Sequence, residues 1–193
     1  MLIVIVIFLS SKISKTSSHR AVHRLIKAIC QLKNSVIRMP QDLTRIKQRF
    51  KHKSGFNNVI GAIDCTQVKI QSPGRANGEI FRNRKGYFSI NVQCIADTNL
   101  IFHDVVAKWP GSTHDSRIFN NSYINQQLMD GQIDGILLGD AGYALLPYLV
   151  TPFPQPVNER AKKSIKIFNY WIRLLMYILL RIQLHSFLYQ NVH

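Results

Sequence analysis

A mixed α/β fold is predicted, ordered strand-strand-strand-helix-strand-strand and preceded by basic helices. Three observations predict it. Two short apolar runs, Asn58–Asp64 and Asp134–Asp140, each end on a carboxylate and read as buried strands. Between them, residues 88–97 alternate apolar and polar side chains, as half-buried strands do, and a turn at Asn99 leads into a further strand at 101–109. Apolar residues then recur at helical spacing from Ile118 to Met129, behind Ser112 and Thr113 as capping hydroxyls.

Taken in order, residues 1–15 form an apolar N-terminal segment followed by Ser and Lys. Met1–Leu9 is too short to span a bilayer, which needs about 20 apolar residues, and it lacks the basic start of a signal peptide. Residues 16–53 read as a basic helical region. Thr16, Ser17 and Ser18 offer N-caps to a helix with Leu25, Ile26, Ile29 and Leu32 on one stripe. A second helix is expected from near Pro40, with Asp42 in its first turn and Leu43, Ile46 and Phe50 as its apolar stripe. Arg45, Lys47, Arg49 and Lys51 form its solvated side. Both helices read first as amphipathic elements packed on a domain, and second as DNA-contacting ones.

Residues 54–160 carry the sheet. Val59–Asp64 is the first strand, 88–97 the second and 101–109 the third, stopped by Pro110-Gly111. One helix runs to Asp130-Gly131, Ile136–Asp140 is an interior strand, and Tyr148–Thr151 is the last, closed by Pro152, Pro154 and Pro156. Three meandering strands followed by a helical crossover set the fourth strand parallel to the first and beside it. Asp64 and Asp140, at neighbouring strand ends, then come within reach of one metal ion. Hard divalent cations, Mg²⁺ or Mn²⁺, take oxygen ligands of this kind, and such ions serve phosphoryl chemistry.

Composition bounds the partners. Twenty-five Lys and Arg against 10 Asp and Glu give a formal net charge of +15, which favours a polyanion, nucleic acid before acidic membrane. Three cysteines, Cys30, Cys65 and Cys94, lack CxxC or zinc spacing and fit a reducing compartment rather than a disulfide scaffold. The tail at 161–193 is apolar and basic. Its stretch Ile165–Leu180 contains Lys166 and Arg173, which a spanning helix seldom tolerates, so no stable membrane insertion is expected.

Five strings in order resemble the PIF/Harbinger superfamily of DDE transposases and the Harbinger transposase-derived nucleases. They are Gly61–Thr66, Asn83–Tyr87 with Ser89 following, Trp109–Ser116, Gly139–Tyr143 and Thr151–Pro156. The resemblance covers about residues 55–160. It implies an RNase H-like mixed sheet, divalent-metal DNA strand cleavage, DNA as partner and a nuclear location, with the cytoplasm as a further one. Asp64 and Asp140 match the first two acidic positions of the catalytic triad. Asp115 matches an acid in the His-Asp-Ser string, where it either contributes to metal binding or complements the start of a helix. Lys85, Arg82 and Arg84 are candidates to hold a DNA backbone, against the alternative of a solvated basic turn. His114 either contacts phosphate or bonds the Pro110-Gly111 loop, and Trp109 is expected in the core.

The chain also departs from that pattern. The family implies a catalytic Glu on a helix well downstream of Asp140. Here Glu159 is the one acidic residue after Asp140, and it sits where the family has an exposed Glu-Arg pair ahead of the helix, a poor third ligand. Gln67 stands where the family has His, and it cannot titrate near neutral pH as His does. The segment 168–177 reads like sequence from another frame or a retained intron. The expectation is therefore a fragment or decayed copy lacking its DNA-binding helices, either supplied with them by a separate partner protein or persisting as a non-catalytic DNA- or partner-binding relic.

Overall fold

The computed structural model describes residues 14–74 and 78–152. Residues 1–13, Glu159 and the 161–193 tail lie outside them. The chain divides into two compact units at Arg38/Met39.

In the first unit, helix α1 spans Lys15–Gln31 and a single turn, α2, spans Lys33–Val36. Ser14, not the expected Thr16–Ser18, is the N-cap: its backbone is extended and its hydroxyl accepts from the Ser17 amide, satisfying one of the orphan donors of the first turn. The apolar stripe of α1, Leu25, Ile26, Ile29 and Leu32, is exposed.

In the second unit, helix α3 spans Thr44–Ser54. It begins later than Pro40 because the Asp42 carboxylate accepts from the Thr44 amide, holding residues 42–44 as a cap. Gly55 ends it in the left-handed conformation (φ 76°), donating to the Lys51 carbonyl, a stop that favours glycine. Ile46 and Phe50 are buried on the sheet against Val59, Ala62, Cys94, Ala96 and Leu138. Burial of this kind makes a Phe→Ala change cost about 3–5 kcal/mol. The residues 16–53 thus divide between the two units, with α3 belonging to the sheet.

The sheet comprises β1 (Val59–Lys69), β2 (Ser89–Ala96), β3 (Phe102–Pro110), β4 (Ile136–Leu138) and β5 (Leu149–Val150), in the order β3-β2-β1-β4-β5. β1 is antiparallel to β2 and parallel to β4, and β4 is parallel to β5. This is the expected meander followed by a crossover to a parallel neighbour of the first strand. The crossover contains two helices, α4 (Asp115–Asn120) and α5 (Tyr123–Met129), where one was expected. Ser122 breaks the run: its extended backbone and a hydroxyl that accepts from Asn125 N–H start a fresh helix. β3 ends at Pro110-Gly111 as expected, with Pro110 its last residue, opposite Ile90.

The faces of the sheet carry different cores. Ile60, Ile63, Ile95 and Leu137 pack with Phe119, Ile124 and Leu128 on the α4–α5 side, opposite the Ile46–Phe50 cluster. Trp109 joins neither cluster. It is half-buried rather than core, with Lys108 Nζ 5.8 Å from its ring centre.

Candidate active site

Asp64 lies inside β1, five residues before Lys69, not at its end. The strand continues because β2 pairs with it throughout, from Ala62↔Ala96 to Lys69↔Ser89. On the other side β4 stops at Leu138, so the edge of β1 opens where Asp64 sits. Continuing the parallel register two residues past Ala62↔Leu138 sets Asp140 level with Asp64. Strand alternation gives Asp64 the face of Ala62. Gly139 abuts Tyr143, Leu149 and Ile63 on the opposite face. Asp64 therefore lies on the sheet face of Ala62, and Asp140 follows just past the end of β4, level with it.

Asp64 is 4% exposed. Its Oδ1 accepts from the adjacent Cys65 amide at 2.7 Å, while its Oδ2 is buried without a hydrogen-bond partner. Burial pushes its pKa up to about 7; the Cys65 amide opposes this, and the charges of Asp140 and Asp115 add to it. Asp140 is half-buried and accepts from the Gly142 amide at 2.9 Å. Burial raises its pKa too, against the Gly142 amide, with Asp115 raising it further and His114 lowering it. A Cβ at residue 142 would stand 3.0 Å from Asp140 Oδ1, so the amide reaches this oxygen closely because residue 142 is glycine.

Asp115 opens α4 and is tied back to the sheet by Asn91 Nδ2, 2.8 Å from its Oδ1. The same amide donates to the Thr113 carbonyl at 2.9 Å. A first-turn position favours a carboxylate electrostatically, and its charge adds to the upward shift of both Asp64 and Asp140. His114 is exposed and bonds Ser116 Oγ through Nδ1 at 3.1 Å; the carbonyl of Pro110 is bonded instead by the Thr113 amide.

The basic turn is tightly built. Asn83 Oδ1 accepts from the Lys85 and Tyr87 amides, and Asn83 Nδ2 donates to Ser89 Oγ, which donates to Gln67 Oε1 at 2.7 Å. Gln67 thus anchors the turn from β1. Arg84 and Lys85 are exposed upon it. Arg82 is engaged within the protein: both Glu79 carboxylate oxygens, at 2.7 and 3.1 Å, the Gly86 carbonyl and the Phe88 ring, 4.4 Å from the guanidinium carbon, surround it.

Asn91, Asn83, Ser89 and Gly142 were not legible as site residues. Their signal lay in β2, where Ser89, Asn91 and Gln93 recur at every second position. The pattern resembles a solvent face, yet all three are fully buried. From that register Ser89 Oγ donates to Gln67 and Asn91 Nδ2 to Asp115, whereas a wet face ordinarily carries charge. Sequence also did not disclose the Cys65 Sγ to Tyr143 Oη contact of 3.2 Å behind Asp64.

Two carboxylates with an unpartnered buried oxygen suit a hard cation as a donor set. Among the described residues, no group of three or more His, Cys, Asp or Glu is arranged to hold a metal ion. Nor is any described helix long and apolar enough to cross a membrane.

The family described as DDE superfamily endonuclease matches residues 63–179, more than half of the chain. "Putative nuclease HARBI1" of Rattus norvegicus is 32% identical over 148 residues, covering 75% of this chain and 42% of the relative. The Homo sapiens protein of that name matches to the same extent. "Protein ALP1-like" of Arabidopsis thaliana is 30% identical over 129 residues, covering 59% of this chain and 32% of the relative. The chain thus spans less than half the length of these relatives. No solved structure matches. The mixed sheet, the two Asp residues level across β1 and β4, and the family match agree: the chain belongs to the DDE superfamily of endonucleases, among the relatives of the Harbinger transposase-derived nucleases.

Proposed function

We propose that this domain cleaves DNA phosphodiester bonds with a divalent cation, Mg²⁺ or Mn²⁺, held by Asp64 and Asp140. The observation that carries the reading is Asp64 itself, a buried carboxylate with one oxygen unsatisfied and further carboxylates beside it. Such a group is costly unless a cation or a proton compensates it. When bound, a divalent cation supplies Lewis-acid stabilisation and water activation for phosphoryl transfer.

The chain's own residues divide the remaining work. Gly142 N–H and Cys65 N–H each fix one oxygen of a carboxylate, orienting the other. Asn91 holds Asp115 at the rim, where the carboxylate either joins the donor set or complements α4. Lys85 and Arg84 would present cations for the phosphate backbone, and exposed His114 would add a further donor. Arg82, already paired, stiffens the turn more than it contacts DNA. The reading carries with it a nuclear site of action and a separate protein that contributes DNA-binding helices.

A second reading, a non-catalytic DNA- or partner-binding relic, draws support from the lack of a three-group metal cluster among the described residues. Nicking of supercoiled plasmid in Mn²⁺ separates the two. The first reading expects nicking that Asp64→Asn and Asp140→Asn each abolish. DNA binding without nicking, unchanged by either substitution, would establish the relic instead.

A further inference from the structure

Helix α3 leaves a groove of about 330 Å³ lined by Arg45, Gln48, Arg49, His52 and Lys53. These positions follow the i, i+3, i+4, i+7, i+8 spacing of a single helix stripe, opposite the buried Ile46 and Phe50. The helix has five Lys or Arg residues and no acid. Lys47 is paired with Asp134 at 2.7 Å, outside the groove. Arg49 is fixed by Asp97 Oδ2 at 3.0 Å, and Lys53 by the Thr98 carbonyl at 3.1 Å. Two cations of the stripe are thus held in place by the β2–β3 turn before any ligand arrives.

Carboxylates at a site repel a phosphate chain, so a nucleic acid brought there needs cations along its path. The helix packs against Val59 and Ala62, on the sheet face that strand alternation gives Asp64. The Lys85 turn adjoins the other end of β1, where Ile70 N–H bonds Phe88. At about 3.3 Å per residue, the roughly seven residues from Ala62 to Lys69 span about 23 Å, less than one duplex turn of about 34 Å. Asp64 falls between the two basic positions.

We propose that the α3 groove is a DNA phosphate-backbone site, holding the strand upstream of the carboxylates while the Lys85 turn holds it beyond them. It rests on the reading of Asp64 and Asp140 as a DNA-cleaving site. Gln48 and His52 add hydrogen-bond donors between the cations, the mix that tracks phosphate oxygens without reading bases.

The test is the salt dependence of binding to a fluorescently labelled mixed-sequence DNA duplex, using the full chain in EDTA so that metal chemistry plays no part. Replacing Arg45, His52 and Lys53 together by Gln should weaken binding. It should also lower the slope of log affinity against log salt by about one for each phosphate no longer neutralised, roughly two in total. Lys51→Gln, exposed on the same helix outside the groove, should leave the slope nearly unchanged. An unchanged slope in the triple variant overturns the proposal. So does an equal fall per charge removed in Lys51→Gln, which would reduce the effect to net charge. Loss of binding to phosphatidylserine vesicles with the DNA slope intact would assign the groove to membranes, also against it. Failure of the nuclease reading registers separately, as Mn²⁺ binding indifferent to Asp64→Asn in EDTA-free buffer.

Discussion

Asp64 and Asp97 are buried almost equally, at 4% and 3% exposure, yet their surroundings treat a negative charge in opposite ways. Burial pushes both pKa values up. At Asp97 the His103 ring and the amides of Asn99 and Ile101 outweigh burial and hold the carboxyl below its ordinary range. Asn99 N–H donates to Oδ1 at 2.7 Å and Ile101 N–H at 3.2 Å, while Arg49 sits 3.0 Å and His103 Nε2 3.6 Å from Oδ2. At Asp64 there is one amide and an unpartnered oxygen, and burial wins. The first carboxylate is completed by the fold; the second is left for something the fold does not supply. Burial alone therefore does not mark a functional acid; the proposal for Asp64 rests on incomplete satisfaction beside like charge.

The largest effect that tests this contrast is at Asp97. Asp97→Ala strands two turn amides and the Arg49 charge, and it releases Leu100, whose φ of 67° is unfavourable for a branched residue. A loss of about 3–5 kcal/mol is expected, read as a lower urea midpoint. A loss below about 1 kcal/mol would put Asp97 among ordinary surface substitutions.

Asp64→Asn is expected to act in the other direction on stability. In metal-free buffer the folded pKa of Asp64, about 7, exceeds the unfolded value of about 3.9. The contribution of this group is therefore fully present below about pH 4 and lost as pH rises through about 7, a change on the order of 4 kcal/mol. Asp97 contributes oppositely, its stabilisation being lost as pH falls through the carboxylate range. Melting curves between about pH 5 and 8 should show the wild type losing stability with rising pH, and Asp64→Asn flattening that loss. Parallel curves for the two proteins would remove the strain assigned to Asp64.

A smaller effect is expected at Asn91, whose side chain joins Asp115 to the Thr113 carbonyl. Asn91→Ala should cost about 1–2 kcal/mol and reduce nicking more than binding of DNA. Smallest is Lys85→Glu, exposed and far from any core. It should leave the melting temperature unchanged and lower the salt slope for DNA by about one; an unaltered slope returns Lys85 to a solvated turn.

Much of this architecture was legible in the chain. Period-two runs and a crossover of helical period require β4 to lie parallel beside β1, and that rule alone brings Asp64 and Asp140 together. Boundaries were less legible, because strand ends depend on partners. Asp64 read as terminal since a charge ends the apolar run, but β2 carries β1 on to Lys69. Ser122 reset the crossover helix through a single hydroxyl. The polar register of Ser89, Asn91 and Gln93 concealed a buried face, because alternation reports that two faces differ, not which is wet. The satisfaction of Asp97 was invisible for a similar reason: its partners Arg49 and His103 come from α3 and β3, far apart in sequence.

Asp64 has a buried oxygen without a hydrogen-bond partner, and the proposed function has a divalent cation complete it. An Mn²⁺ titration of the full chain, followed by the free-ion electron paramagnetic resonance signal in wild type, Asp64→Asn and Asp97→Asn, tests this without relying on cleavage. Binding in wild type should strengthen as pH rises through about 7, as the proton leaves Asp64. It should be retained in folded Asp97→Asn and lost in Asp64→Asn. Equal Mn²⁺ affinity in wild type and Asp64→Asn would contradict the assignment.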